Sequence, residues 1–271
     1  MISLPTEKLK AEQLSPRKLI IYSQPKAGKT TLLSKLDNCL ILDFENGASS
    51  IDSMRLNIVG LFKPKAETKE VTEARHVKKH YYLDEALEAI KAAGMPYKYG
   101  ALDTITKIEE LCEGYGTWKY MNLPMGKSFN RIEGSATLLP YDKWASVLTL
   151  ANGAGYLYLR EAFKEIITMC EKAFPNVILV GHLKDKTIEK KGVEVKAKDI
   201  DLTGKISSIT AASADAIGYL YRSEGKGILT FAGAEEIVCG ARPEHLRGKE
   251  IIISEEIDGK IEVFWDKIYI D

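Results

Sequence analysis

Short apolar runs and amphipathic stretches alternate along the first two thirds of the chain. Residues 19–22, 38–47, 97–102 and 176–182 carry such runs, bounded by Gly, Pro or acidic residues, and read as buried strands; residues 56–60 form a weaker one. Between them, residues 84–93 open with Asp84 and Glu85 and close on Gly94, which predicts a helix. Residues 105–113 also read as helical. In 156–174 the residues Leu157, Leu159, Phe163, Ile166, Ile167 and Cys170 recur at helical spacing before Pro175. Beyond residue 214 the rhythm changes to strands separated by tight turns: 214–221 and 228–231 about a turn at 223–227, then 251–254 and 260–265 about Asp258-Gly259. Strand and helix in alternation predict an α/β protein with a mostly parallel central sheet flanked by helices, extended at its C-terminal end by antiparallel strands. The expectation is one domain over residues 1–271, with an insertion at about 114–155 and a β extension at about 214–271.

Composition narrows this picture only modestly. Lys plus Arg and Asp plus Glu both number 38, so the whole molecule has no basic bias toward nucleic acid and any such contact must be local. No apolar run approaches the roughly 20 residues needed to cross a bilayer. Residues 1–17 are polar and lack the apolar centre of a signal peptide, so a cytoplasmic protein without a membrane partner is expected. Cys39, Cys112, Cys170 and Cys239 are far apart, which predicts free thiols.

The chemistry concentrates in Ser23-Gln24-Pro25-Lys26-Ala27-Gly28-Lys29-Thr30, followed by Thr31, between the first strand and a helix expected to start near Lys29. A loop that wraps a triphosphate must offer backbone N–H groups and a cation without side-chain obstruction. Gly28 permits close approach, Lys29 reaches the β and γ phosphates, Thr30 places its hydroxyl on Mg²⁺, and the helix start adds positive potential. Ser23 stands where the pattern G-x-x-x-x-G-K-[ST] has its first glycine. A Gly-Lys-Thr that merely follows a buried strand is the plain alternative.

Other candidates sit at strand tips. Asp43 and Glu45 end the second run, and in an open α/β sheet such tips share the ligand crevice. Asp103 ends the run at 97–102; it is either an N-cap or a magnesium carboxylate beside the phosphate loop. His182 ends another strand on the same rim, where a lone histidine is more often structural than functional. Residues 114–155 interleave Tyr115, Trp118, Tyr120, Phe129, Tyr141 and Trp144 with Lys119, Lys127, Arg131 and Lys143, which suits either a base-stacking platform or a surface packed on the core or a neighbouring subunit. Residues 183–207 are Lys-rich, with Lys184, Lys186, Lys190 and Lys191 as candidate nucleic-acid contacts and a solvated hairpin as the alternative.

Taken together, the loop at 23–31, Ile41-Leu42-Asp43-Phe44-Glu45-Asn46, Ala101-Leu102-Asp103-Thr104 and Leu179-Val180-Gly181-His182 resemble, in order, the markers of RecA-like P-loop ATPases. The resemblance spans roughly residues 17–245 and is closest to phage-encoded AAA-domain proteins of single-strand annealing and recombination. It implies ATP and Mg²⁺ as cofactors, Glu45 as the residue that orients attacking water, and His182 as a γ-phosphate sensor acting on the loop after it. It further implies assembly as a ring or filament, with single-stranded DNA and a single-strand-binding or replication protein as partners. The stretch Asp201-Leu202-Thr203-Gly204-Lys205 is similar to one in the phage proteins, which marks Lys205 as a cation offered to a neighbouring protomer's nucleotide. A small-molecule phosphotransferase and a non-catalytic ATP-binding switch remain the alternatives to a recombination ATPase.

Overall fold

The structure, a computed structural model, describes residues 4, 6–7, 13–190, 193–234 and 236–270, without the side chains of residues 188–195. In chain order the elements are β1 (Lys18–Ser23), α1 (Lys29–Ser34), β2 (Cys39–Asp43), β3 (Arg55–Gly60), α2 (Lys69–Val77), β4 (His80–Tyr82), α3 (Leu83–Ala92), β5 (Tyr99–Asp103) and α4 (Ile105–Met121). They continue with α5 (Gly155–Glu171), β6 (Asn176–Lys190), β7 (Val193–Ile200), α6 (Lys205–Ser213), β8 (Ala216–Ser223), β9 (Lys226–Thr230), β10 (Gly240–Ala241), β11 (Glu250–Ile257) and β12 (Lys260–Val263). One sheet runs β12-β11-β9-β8-β1-β6-β5-β2-β3-β4. Its half from β8 to β4 is parallel, whereas β9, β11 and β12 add on antiparallel. This is the mixed α/β architecture expected of a RecA-like P-loop core with an antiparallel C-terminal extension.

Alternation along β1 explains how the sheet is covered. Ile20 and Tyr22 point to one face, where they pack with residues of α3, α4 and α5; Leu19 and Ile21 point to the other. That second face is covered by Leu32 and Leu33 of the short α1 together with Leu246, Trp265 and Ile268 from the C-terminal part of the chain. The Trp265 indole N–H donates to the Leu32 carbonyl at 2.8 Å in a buried position. The extension therefore supports the helix that follows the phosphate loop.

The boundaries depart from the sequence reading at several places, among them β2, α4 and residues 69–82. β2 stops at Asp43 because that carboxylate turns inward and accepts N–H bonds from Glu45 (3.1 Å), Gly47 (3.2 Å) and Ala48 (2.8 Å), which closes a turn instead of prolonging the strand. α4 continues through Gly114 and Gly116 to Met121: a Cβ on Gly116 would lie 3.1 Å from the backbone of Tyr158 and Leu159, so this glycine lets α5 approach closely and does not break the helix. Residues 69–77 and 80–82, to which the sequence pattern assigns no element, form α2 and β4. α2 buries none of its residues, so it has no apolar stripe to announce it, and Thr68 caps it by accepting from Val71 N–H at 3.4 Å. The four cysteines are free. Among the described residues no helix is long and apolar enough to cross a membrane.

Candidate functional site

The parallel strands bring five chain segments to one rim: the loop after β1, the turn after β2, Thr104 after β5, His182 within β6, and the end of β8. β6 lies between β1 and β5, in register Ser23 with His182 and Val180 with Asp103, while β2 pairs Asp43 with Asp103. The rim thus runs from the loop through His182 and Asp103 to Glu45.

Residues 24–28 form the turn, with Gln24, Pro25 and Lys26 exposed. Lys26 (φ 63°) and Gly28 (φ 102°) are left-handed; Gly28 immediately precedes α1, where a side chain would be strained. Ser23 closes β1, fully buried, in a strand conformation that needs no glycine. Its hydroxyl accepts from the Lys29 ammonium at 2.9 Å, and the Gln24 carbonyl takes a second bond at 3.3 Å. Lys29 is buried, and desolvation lowers its pKa against the opposing pull of Asp103 and Glu45. α1 has only six residues, so its dipole adds little positive potential at the loop. Thr31 is half-buried, and its carbonyl accepts from Ser34 Oγ at 2.9 Å.

Thr30 and Asp103, assigned to magnesium from sequence, touch: Thr30 Oγ1 donates to Asp103 Oδ2 at 2.8 Å. Burial, with the like charges of Asp43 and Glu45, lifts the Asp103 carboxyl to about 6 despite that bond and the nearby Lys29. A hydroxyl and a carboxylate are the hard oxygen donors Mg²⁺ takes, and an added cation would answer the charge that burial penalises. Among the described residues no group of three or more His, Cys, Asp or Glu could hold a metal by itself. That suits an ion which completes its shell with phosphate and water, so the residues present fit the group.

Glu45 lies beyond Asp103 on the rim. Its Oε1 accepts from Thr104 Oγ1 at 2.6 Å and lies 3.1 Å from His182 Nε2. The histidine hydrogen bond is the largest cause holding the Glu45 carboxyl below its usual range, with Thr104 adding to it and burial opposing. His182 also marks a structural boundary: Ser23 pairs it into the parallel sheet, and from Leu183 onward β6 pairs only with β7. Thr106 of α4 fastens this junction, donating to the Asp201 carbonyl at 3.1 Å and accepting from His182 N–H at 3.4 Å.

The remaining sequence candidates are dispersed. Lys184 pairs with Asp201 at 3.5 Å, and Lys186 is exposed on the same hairpin. Lys190 ends β6 with its side chain outside the described residues, and Lys191 lies outside them altogether. Lys205 opens α6, exposed; among the described residues no hydrogen bond or ion pair joins it to the phosphate loop. The preceding loop is fixed by buried Glu109, which accepts from Thr203 N–H at 2.9 and 3.1 Å. Sequence reasoning missed Arg222, at the end of β8, whose Nε donates to the Ala27 carbonyl at 3.3 Å. No motif surrounds it; only the pairing of β8 with β1 brings it to the loop.

A phosphate loop, a Thr–Asp pair and a rim carboxylate on a mostly parallel sheet define a P-loop ATPase. The sequence profile of the AAA domain matches residues 15–243, and the chain belongs to that family. No curated protein matches it. Among solved structures, it is similar to a KaiC-like protein, PH0186, of the hyperthermophilic archaeon Pyrococcus horikoshii OT3, with 12% identity over 91% of this chain and 89% of that one and a TM-score of 0.40. It is also similar to an ATPase from the type III secretion system of pathogenic bacteria, with 14% identity over 77% of this chain and 53% of that one and a TM-score of 0.33. Likenesses this distant carry no argument about partners or substrates.

Proposed function

We propose that this chain is a Mg²⁺-dependent ATPase in which Lys29 and the amides of residues 24–31 hold the phosphates, Thr30 and Asp103 hold the metal, and Glu45 orients the attacking water. The observation that carries the reading is the bonded pair Thr30–Asp103 beside Lys29, with Glu45 farther along the same rim. Bound Mg²⁺ supplies charge neutralisation on the phosphate oxygens. The chain's own residues supply position: Lys29 leaves the Ser23 hydroxyl for a phosphate oxygen, and Glu45, ionised and fixed by Thr104 and His182, accepts a hydrogen bond from water. His182 couples nucleotide state to the β6–β7 hairpin, because it belongs to both the rim and the hairpin's base.

The biological role we propose is in DNA recombination, single-strand annealing or replication, with the protein assembled as a ring or filament and single strands meeting the hairpin through Lys184 and Lys186. Support comes from the sequence resemblance and from the exposure of both side chains. ATP turnover of the parent and of Glu45→Gln, with and without single-stranded DNA, tests the whole reading. Turnover lost in the variant and stimulated by DNA in the parent is the expected result. Equal turnover removes Glu45 from the mechanism; absence of single-strand binding at low salt, where phosphate contacts are strongest, removes the DNA role.

A further inference from the structure

We infer that Arg222 is a second cationic contact for the nucleotide phosphates, supplied by the same protomer from the flank of the loop opposite Asp103 and Glu45. The inference rests on the nucleotide reading above and adds a binding residue to it. β8 runs parallel to β1 in register Tyr22 with Tyr219, so three residues later Arg222 stands beside the loop that β1 has turned into. Its Nε donates to the Ala27 carbonyl at 3.3 Å, and its Nη2 lies 3.3 Å from where a Cβ on Gly28 would be. The guanidinium therefore rests on the one loop position that lacks a side chain.

Its charge is otherwise unused. Arg75 is paired with Glu67 and Glu85, and Arg242 with Asp215, but among the described residues no carboxylate pairs with Arg222. One long bond to a carbonyl leaves the rest of a five-donor fork open to solvent at the mouth of an anion-binding loop. Guanidinium forks match phosphate oxygens in pairs. The other flank of the loop carries Asp103 and Glu45, whose negative charge repels a triphosphate and is only partly answered by Lys29. A cation on the free flank compensates for that repulsion.

A loop clamp acting only through the Ala27 carbonyl is the competing role, and two substitutions separate it from phosphate contact. Arg222→Gln keeps a donor for that carbonyl and loses the charge; Arg222→Lys keeps the charge. Dissociation constants for Mg·ATP and Mg·ADP, measured calorimetrically over a range of salt, should rise about 10- to 100-fold in Arg222→Gln at low salt. Arg222→Lys should fall between parent and Gln variant, the differences should shrink as salt rises, and melting without ligand should be unchanged. Binding by Arg222→Gln equal to the parent's, or Arg222→Lys as weak as Gln, overturns the inference. A parent that binds no nucleotide at all instead overturns the reading on which it rests.

Discussion

One oxygen of Glu45 is held by two partners at once, the Thr104 hydroxyl at 2.6 Å and His182 Nε2 at 3.1 Å. The histidine bond assigns the proton to Nε2 and leaves Nδ1 buried without a partner among the described residues. The pair fixes both the direction of the carboxylate and its ionisation.

The histidine bond holds the Glu45 carboxyl below its usual range, so removing it raises that pKa. The group must be ionised to accept a bond from water, and activity should fall as pH drops through its pKa. His182→Ala should therefore shift the acid limb of the pH–rate profile to higher pH. A profile that keeps the parent's acid limb would show that the pair does not govern turnover.

Glu45→Gln preserves shape and accepts Thr104's hydrogen bond through its amide oxygen. Nucleotide affinity should stay near the parent's while turnover falls by about 10²-fold or more, the usual contribution of a positioned base. Single-turnover kinetics beside equilibrium binding separates the two effects.

Asp103 titrates in the opposite sense. Its carboxyl is raised from 3.8 to about 6, so between those values the folded chain holds more protons than the unfolded one. Stability from this group is fully present below the unfolded value and is lost as pH rises through the folded value. Asp103→Asn should stabilise the ligand-free protein at neutral pH by on the order of 2 kcal/mol, while abolishing Mg²⁺-dependent nucleotide binding. Thermal melts at pH 4.5 and 7.5 should show a clearly larger gain at the higher pH.

Trp265 packs on α1 and donates to the Leu32 carbonyl. Trp265→Phe removes the hydrogen bond and should cost about 1 kcal/mol; Trp265→Ala adds a cavity and should cost about 3–5 kcal/mol. Both should weaken ATP binding in step with the loss of stability. Intact affinity in a destabilised Ala variant would show that the loop does not depend on this support.

The sheet and the loop were legible because their signals are local: apolar runs at 19–22 and 97–102, and Gly28-Lys29-Thr30 between a strand and a helix. Asp103 and Glu45 could be placed because strand tips share a rim whatever the order of the strands. The inward turn of Asp43 was hidden, since nothing in the sequence distinguishes a carboxylate that caps its own loop from one that faces a ligand. Helix α2 went unseen because it buries nothing, and the end of α4 was misplaced because a packing glycine and a breaking glycine look alike. Arg222 and Trp265 depend on partners 195 and 233 residues away, contacts that no local pattern encodes.

That last separation affects how the protein is made. A ribosome will have released residues 18–34 long before Trp265 leaves its exit tunnel, so the nascent chain holds its phosphate loop on a helix with one side uncovered until Trp265 emerges. Translation products that stop short of residue 265 should emerge with the complete nucleotide signature yet without the brace beneath it, and ATP retention by stalled chains of graded length would locate the residue at which the site becomes competent.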